Sequence, residues 1–330
     1  MRWSSMSRSP DRSERAAGVP DPRVHVTHAH LHALQGAARG LSFLPLQAAS
    51  SALNGRHGSR LRGRGLHFEE MRGYLPGDDI RAIDWKATAR TGRPFVRVYT
   101  EERDRPALLV VDQRMSMFFG SRLNMKSVTA AEAAAIAAFR ILEAGDRVGG
   151  VVFNDRQVLE FVPKRSRRAT SALLEAIATC NGELHADKRI EPMPGGLNAV
   201  LGSVSRLALH DHLVIVFSDF DGIDGTTERR LAGLAAHNDL ILVLVSDPIA
   251  ERIGRGERAV ISDGQRQAEV DLGSTAVLAA VGGYSQARLA RIRAWQSGIR
   301  LSVLPLSAAE ETLPQLRGLM GRLAQRRRVR

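Results

Sequence analysis

Features that stabilise secreted proteins or anchor proteins in membranes are scarce in this sequence. It holds one cysteine, Cys180, so no disulfide can form within the chain, which favours a reducing compartment. Cys180 ends an apolar helical stretch and is expected in the core. No apolar run approaches the roughly 18 residues that a membrane span needs, and the Ser- and Pro-rich start lacks the apolar region of a secretory signal. These absences predict a cytoplasmic protein with no membrane span.

Aromatic residues are also scarce, at 5% of 330 residues, whereas Lys and Arg outnumber Asp and Glu by 47 to 35. Part of the positive excess is clustered, at residues 56–64, 164–168 and 316–330. Such clusters suit an acidic partner surface, nucleic acid or anionic lipid. No aromatic residue is interleaved in these runs, as stacking on single-stranded bases would need. A nucleic-acid-associated protein is therefore the alternative to a protein that binds other proteins.

The pattern of apolar residues divides the chain into four stretches. Residues 1–23 are rich in Ser, Pro and Arg and predict a disordered tail. Residues 24–105 form a flank, with a short helix at about 25–38 and strand-like pieces on either side of a turn-rich segment. From 106 to 310, apolar strands alternate with amphipathic helices, and 311–330 predict a last helix and a basic tail.

The alternating stretch predicts an α/β fold with a doubly wound, mostly parallel sheet. Residues 108–111, 213–217 and 240–245 are apolar throughout, as expected for strands that are buried on both faces. Helices at 126–143, 226–236 and about 284–296 suit the right-handed crossovers between such strands. Ligands of this architecture sit beyond the carboxyl ends of the strands, so the chemistry is expected just after the first two of these strands.

Aspartates follow both of those strands. Asp112 begins the segment Asp-Gln-Arg-Met-Ser, in which Ser116 adds a hydroxyl, and Asp219 follows the strand at 213–217. Two carboxylates at neighbouring strand ends, with a hydroxyl nearby, form a hard-oxygen site of the kind that binds Mg²⁺. This arrangement resembles the metal-ion-dependent adhesion site of von Willebrand A domains, in which Asp-x-Ser-x-Ser is followed by a Thr on a later loop and by an Asp after the fourth strand.

Two positions depart from the adhesion-site pattern. Arg114 stands where the first Ser belongs, and Leu197 stands where the Thr is expected. A guanidinium competes with a dication for the same carboxylates and does not deprotonate. We therefore expect a degenerate site, in which Arg114 or simple hydration replaces the metal; Mg²⁺ binding and a polar cluster that only caps strand and helix ends are the alternatives. The residues expected to contact a partner at this face are Arg114, Leu197 and Asp221.

A second group of candidate residues lies at 72–85, which reads Arg-Gly-Tyr-Leu-Pro-Gly-Asp-Asp-Ile-Arg-Ala-Ile-Asp-Trp. Its Pro-Gly pair suits a tight turn, and the aspartates after it suit turn or helix caps. Clustered carboxylates also occur in acid–base catalysis and in hydrolase metal sites. No histidine or nucleophile accompanies them at a fixed spacing, which favours an ion-pair network that holds the flank on the α/β domain. The candidate partner-binding residues here are Asp78, Asp79, Arg81, Asp84 and Trp85.

Together these motifs resemble the bacterial family known as domain of unknown function 58. The resemblance rests on the motif at 72–85, the Ala-Arg pair at 89–90, the strand that ends at Asp112 with Ser-Met beyond it, and Gly-Asp-Arg-Val-Gly at 145–149. It covers residues 55–155 with specific motifs and extends more loosely to about 306. It implies a von Willebrand A-like fold and pairing with MoxR-type AAA+ ATPases, for which such a domain would act as an adaptor or co-chaperone.

The expected function is therefore a non-enzymatic protein-interaction module, with a basic nucleic-acid-associated protein and a metal-dependent hydrolase as alternatives. Residues 120–127 fall one residue short of a nucleotide-binding P-loop, because Met125 replaces its second Gly. We expect Lys126 instead at the solvent-facing start of a helix. The histidines at 25, 28, 30 and 32 lack a carboxylate or cysteine at ligand spacing, so they do not predict a metal site.

Overall fold

The computed structural model describes residues 21–39, 66–75, 78, 80–101, 106–186, 191, 193–248, 258–262, 267–271 and 275–328. The chain divides into two compact units, of which the smaller is Ala48–Arg105 and the larger comprises Met1–Gln47 and Pro106–Arg330. Most of the tail predicted at 1–23 and the loop predicted at 42–64 lie outside the described residues.

The first elements in chain order are helix α1 (His28–Ala37), strand β1 (Leu66–Gly73), helix α2 (Trp85–Thr91) and strand β2 (Phe95–Glu101). Strands β1 and β2 pair antiparallel and form the sheet of the smaller unit. Helix α2 begins after Asp84, whose carboxylate caps it, and it ends at Gly92, which adopts a left-handed conformation with φ of 69°. This conformation favours glycine and lets the chain turn directly into β2.

The larger unit continues with alternating strands and helices. They are β3 (Ala107–Asp112), α3 (Lys126–Glu143), β4 (Val148–Phe153), β5 (Val158–Lys164), α4 (Arg167–Gly182), α5 (Gly196–Leu207), β6 (Leu213–Ser218), α6 (Gly225–His237), β7 (Asp239–Ser246), β8 (Arg258–Ser262), β9 (Gln267–Asp271), α7 (Thr275–Gly298), β10 (Leu301–Ser307) and α8 (Thr312–Arg328). Strands β8 and β9 form a separate hairpin.

Six strands of the larger unit form one sheet in the order β10-β7-β6-β3-β4-β5. Neighbouring strands are parallel except for the edge strand β5, which runs antiparallel to β4. The prediction of a doubly wound, mostly parallel sheet is confirmed, and the fold is von Willebrand A-like, of the Rossmann type. Because β3 and β6 are adjacent and parallel, the segments that follow them leave the sheet at the same edge.

The alternation of side chains along each strand places a core on either face of the sheet. Leu109 and Val111 of β3 face the core beneath α1, α3, α4 and α8, whereas Leu108 and Val110 face the core beneath α5, α6 and α7. Helix α3 is rich in alanine and buried around most of its circumference, as expected for a helix covered by other helices. Cys180 lies in the first core, and burial raises the pKa of its thiol to about 11.

Helix α1 belongs to the larger unit, although its sequence position suggested that it belongs to the flank. Val26 and Leu31 are buried in the first core, and the backbone N–H of Val26 donates to the side-chain oxygen of Asn181 at 2.8 Å. Histidines predicted to be solvated make contacts here. The imidazole of His28 lies 2.9 Å from the Ser171 hydroxyl, and Nε2 of His30 lies 2.8 Å from a carboxylate oxygen of Glu132.

Three helices differ from their predicted extents. Helix α5 was not predicted, although buried Leu197, Val200, Leu201 and Val204 recur at helical spacing. Helix α7 was expected at about 284–296 and begins at Thr275 instead, running through the glycines at 282–283. Helix α8 continues to Arg328, since arginine is a good helix former, so the basic run belongs largely to a helix.

Candidate functional site

Asp112 lies at the end of β3, fully buried, with its carboxylate surrounded by donors. Its Oδ1 accepts hydrogen bonds from the backbone N–H and from Nε of Arg114, both at 3.0 Å. Its Oδ2 accepts from Nη2 of Arg114 at 2.8 Å and from the Ser218 hydroxyl at 2.6 Å. The charge of Asp112 is therefore matched by a guanidinium from its own loop and by a hydroxyl from the neighbouring strand.

Arg114 is nearly buried and is held in place on several sides. Its guanidinium carbon lies 5.6 Å from the centre of the Phe153 ring, within the range of a cation–π contact. A Cβ atom at Gly196, which has φ of 44°, would stand 3.5 Å from Nη1 of Arg114. Burial lowers the pKa of Arg114, but the charge of Asp112 and its hydrogen bond outweigh this, so the pKa is raised and the group stays charged.

Asp219 follows β6 and is also buried. Its Oδ1 accepts from the Ser116 hydroxyl at 3.3 Å and from the backbone N–H of Asp221 at 3.0 Å, while Oδ2 accepts from Nζ of Lys126 at 2.6 Å. Burial raises the pKa of Asp219, but the charges of Lys126, Arg288 and Arg114 outweigh it, so the pKa is lowered overall. Asp219 is therefore ionised at neutral pH.

Arg288 of helix α7 ties the segment after β6 in place. Its Nη1 donates to the backbone carbonyl of Asp219 at 2.8 Å, and its Nη2 donates to a carboxylate oxygen of Asp221 at 3.0 Å. Between these residues, Phe220 is fully buried with φ of 55°, a conformation that is uncommon for a residue other than glycine. Its backbone N–H donates to the Ser218 hydroxyl at 2.8 Å, which stabilises the turn.

Asp155, after β4, holds the loop that follows β3. Its Oδ2 accepts from the backbone N–H of Met115 at 2.6 Å, at the start of the 3₁₀ turn Met115–Met117 that carries Ser116. Burial raises the pKa of Asp155, against the opposing effects of that hydrogen bond and of Arg114. Asp155 thus positions the hydroxyl of Ser116 toward Asp219.

The residues present do not fit a divalent cation between the two strand ends. Asp112 is already paired with Arg114 and Asp219 with Lys126, so a dication would have to displace two built-in cations. Leu197, at the position of the expected Thr, is buried in the second core and offers no side-chain oxygen. Within the described ranges, no group of three or more His, Cys, Asp or Glu side chains is placed to hold a metal ion.

The structure brings Asp112, Ser116 and Asp219 together, with Arg114 and Asp221 alongside, but it places the Leu197 side chain inside the core rather than on the surface. Sequence reasoning missed Lys126, which was expected to face solvent and instead bonds Asp219. It also missed Arg288, Ser218 and Asp155. The P-loop-like match at 120–127 was the one available signal that a lysine lies near this face.

The motif at 72–85 lies in the smaller unit. Arg72 donates to both carboxylate oxygens of Asp78, at 2.8 and 2.7 Å, and the hydrogen bond from Arg72 lowers the pKa of Asp78. Asp84 is buried and caps α2 by accepting from the N–H groups of residues 86 and 87, each at 3.0 Å. Arg81 and Trp85 are exposed, and Asp79 lies outside the described residues.

The family model described as "Protein of unknown function DUF58" matches residues 70–281, a range that includes the motif at 72–85 and both strand-end aspartates but ends before Arg288. The chain is 31% identical over 215 residues to uncharacterized proteins of Mycobacterium bovis and Mycobacterium tuberculosis. These alignments cover 65% of this chain and 66% of each relative, just under two thirds of their length. In the part of the chain that the structure describes, no helix is both long and apolar enough to cross a bilayer.

Proposed function

Since the chain belongs to the family described as "Protein of unknown function DUF58", we propose that it is a non-enzymatic, cytoplasmic protein-interaction module. It acts as an adaptor or co-chaperone for a MoxR-type AAA+ ATPase. Its docking site is the strand-end face, where the partly exposed Ser116 and Asp221 contact the partner and the buried Asp112, Arg114 and Asp219 fix the loops that carry them.

The observation that carries this proposal is the built-in pairing of both strand-end carboxylates with cations. Arg114 pairs with Asp112 and Lys126 pairs with Asp219, at 2.8 and 2.6 Å. Such pairs hold their side chains in one arrangement, and fixed charges at an interface favour specificity. Asp221 accepts from Arg288 through one carboxylate oxygen and keeps 38% of its side chain exposed, so it can also meet a charged group of a partner. We therefore expect docking without a bridging metal ion.

The same pairing argues against a hydrolase. The two hydroxyls nearest the carboxylates, from Ser116 and Ser218, donate to Asp219 and Asp112. A general base works best with a pKa near the working pH, and the pKa of Asp219 is lowered from its ordinary acidic value. Asp219 is therefore a poor proton acceptor for Ser116, and the hydrolase alternative has no support from this geometry.

Binding of the purified chain to a MoxR-type ATPase from the same organism tests the proposal. Asp221→Arg reverses a charge at the rim of the strand-end face, and we expect it to weaken binding about tenfold or more. Glu160→Arg is a matched control, because Glu160 lies on edge strand β5 and its side chain is as exposed as that of Asp221. Absence of binding by the unmodified chain, or equal binding by both variants, would contradict the proposal.

One observation supports the alternative function, association with nucleic acid. Helix α8 extends through the C-terminal arginines to Arg328. Anisotropy of labelled duplex DNA and of oligo(dT), measured at low and moderate salt, tests this second candidate. Binding whose affinity falls steeply as salt rises would favour it, because phosphate contacts release counterions. Weak binding at low salt would exclude it.

A further inference from the structure

The smaller unit exposes large apolar side chains that the strand-end face does not use. Met71, Leu75, Ile80 and Trp85 are between 42% and 68% exposed. Among the described residues, they make up most of the strongly exposed large apolar side chains, and they fall within a short segment of sequence. Apolar side chains concentrated on a surface mark interaction sites more often than scattered ones do.

Hydrogen bonds hold the backbone at two of these residues, Leu75 and Trp85. Leu75 lies in a turn where its N–H donates to Asp78 at 2.8 Å and its carbonyl accepts from the N–H of Asp78 at 3.0 Å. Trp85 is the first residue of α2, and the Asp84 cap fixes the start of that helix. The backbone N–H of Asp84 also donates to the carbonyl of Phe95 at 2.8 Å. Leu75 and Trp85 are therefore exposed on backbone that hydrogen bonds hold in one conformation.

Helix α2 places positive charge directly beside Trp85. Residues four apart share a helix face, so Trp85 and Ala89 form one row while Lys86 and Arg90 form the next. All four are exposed, whereas Ala87 on the other side of the helix is buried. Arg93, just beyond the end of the helix, is exposed as well. We call Met71, Leu75, Ile80, Trp85, Lys86, Arg90 and Arg93 the flank surface.

Two aspartates among the described residues of this segment are engaged internally. Asp78 is paired with Arg72 through two hydrogen bonds, and Asp84 is buried as the cap of α2. The flank surface therefore presents apolar side chains together with exposed cations. Surfaces of this composition complement segments that carry both acidic and apolar side chains.

We propose that the flank surface binds an acidic, amphipathic peptide segment of a partner protein. Met71, Leu75 and Ile80 are aliphatic and offer contact area to the apolar side chains of such a peptide, while Lys86 and Arg90 face its carboxylates. Single-stranded nucleic acid needs several aromatic platforms, and Trp85 alone is aromatic among the strongly exposed large apolar side chains of the described residues. This proposal concerns the smaller unit and holds whether or not the strand-end face binds an ATPase.

Fluorescence anisotropy of labelled probes with the full chain tests the proposal. The first probe is a short synthetic peptide that combines Glu and Asp with Leu and Phe at helical spacing. The second has the same acidic residues with Ser in place of every apolar one, and the third is oligo(dT). We expect micromolar binding of the first probe and much weaker binding of the other two.

Substitutions in the flank surface identify the binding residues. Trp85→Ala is expected to weaken binding of the first peptide about tenfold or more, since tryptophans often dominate interface energies. Lys86→Glu combined with Arg90→Glu is expected to abolish it. Leu209→Ala is the matched control for Trp85, because both side chains are 68% exposed, and Arg293→Glu on α7 is the control for charge. Neither control should change the affinity by more than about twofold, as expected for residues outside an interface.

Three outcomes would overturn the proposal. One is peptide binding that survives both flank substitutions. Another is tighter binding of oligo(dT) than of the peptide, lost in the same variants, which would assign the surface to nucleic acid. The third is a dimer in sedimentation velocity that Trp85→Ala dissociates, which would assign the surface to a second copy of the chain. Equal melting temperatures of the variants and the unmodified chain establish that a loss of binding is not a loss of folding.

Discussion

Both units contain an arginine–aspartate pair that is joined by two or more hydrogen bonds, but the pairs differ in burial. The side chains of Arg114 and Asp112 are 10% and 0% exposed, whereas those of Arg72 and Asp78 are 38% and 19% exposed. Buried charges depend on their partners because water cannot replace them, whereas water readily solvates the partners of a surface pair. The same geometry therefore stabilises a core in the larger unit and orders only a turn in the smaller one.

The two units also differ in the burial of a tryptophan side chain. Trp295 of α7 is buried in the second core, whereas Trp85 of α2 is strongly exposed. At the strand-end face the larger unit pairs its buried charged side chains with one another, whereas the smaller unit exposes several large apolar side chains and cations. From this difference we infer that substitutions at the strand-end face act on folding as well as binding, while those on the flank surface act on binding alone.

The largest expected effect is on stability. Arg114→Ala leaves the buried carboxylate of Asp112 without its cation and is expected to lower the free energy of unfolding by about 3–5 kcal/mol. Arg72→Ala, the matched change in the smaller unit, is expected to cost far less, within the range of ordinary surface ion pairs. Urea titration followed by circular dichroism measures both. Equal losses of the free energy of unfolding in the two variants would show that burial does not set the strength of the two ion pairs.

A smaller effect is expected on metal binding. The unmodified chain should show no Mg²⁺ binding in isothermal titration, because Arg114 and Lys126 occupy both carboxylates. Arg114→Ser combined with Lys126→Ala restores the Asp-x-Ser-x-Ser pattern and removes the cation nearest to Asp219, so we expect binding with a Kd of about 0.1–1 mM.

Arg72→Ala is the matched control for the metal experiment. It removes the cation that pairs with Asp78 in the smaller unit and does not rebuild the Asp-x-Ser-x-Ser pattern. It should bind no Mg²⁺. Tight binding by the unmodified chain that Asp112→Ala abolishes would contradict the assignment of Arg114 and Lys126 as replacements for the metal.

The smallest effect concerns pH and the docking of helix α1, where burial is intermediate. The hydrogen bond to Glu132 raises the pKa of His30, against an opposing effect of burial. A raised folded-state pKa stabilises the fold below the unfolded-state value of about 6.5, and that stabilisation is lost as pH rises through the folded-state value. Screening by solvent keeps the contribution below about 1 kcal/mol.

Urea titrations on either side of this window measure the effect. The loss of stability between about pH 6 and about pH 9 should be smaller in His30→Gln than in the unmodified chain. His210→Gln is the control, since His210 is exposed and pairs with the neighbouring exposed Asp211. If His30→Gln and the unmodified chain show the same dependence of stability on pH, protonation of His30 does not stabilise the fold.

Local patterns predicted most elements of the fold. Helix α3 was predicted with its observed ends, Lys126 and Glu143, because its apolar spacing and its flanking residues are local properties. The helix of 196–207 was missed because two glycines at its start resemble a loop, although its apolar spacing is helical. Helix α7 extends further than predicted. The helix therefore forms despite the free-energy cost of placing two glycines inside it.

The candidate site was predicted only in part. Asp112, Ser116 and Asp219 were found because residues after adjacent parallel strands meet at one edge of the sheet. Their cations were not all found, since Lys126 and Arg288 are 93 and 69 residues from Asp219 in sequence. Arg114 was recognised because it is two residues from Asp112 and so belongs to a local pattern.

The sequence by itself determined the alternation of strands and helices, the two aspartates at the strand ends and the replacement of a ligand position by Arg114. These features depend on periodicity and on residues close to one another along the chain. Only the tertiary structure decided which cations pair with the aspartates, that α1 belongs to the larger unit, and that Trp85 is exposed while Trp295 is buried. Those properties depend on packing between distant segments, which sets burial and therefore the strength of each charge interaction.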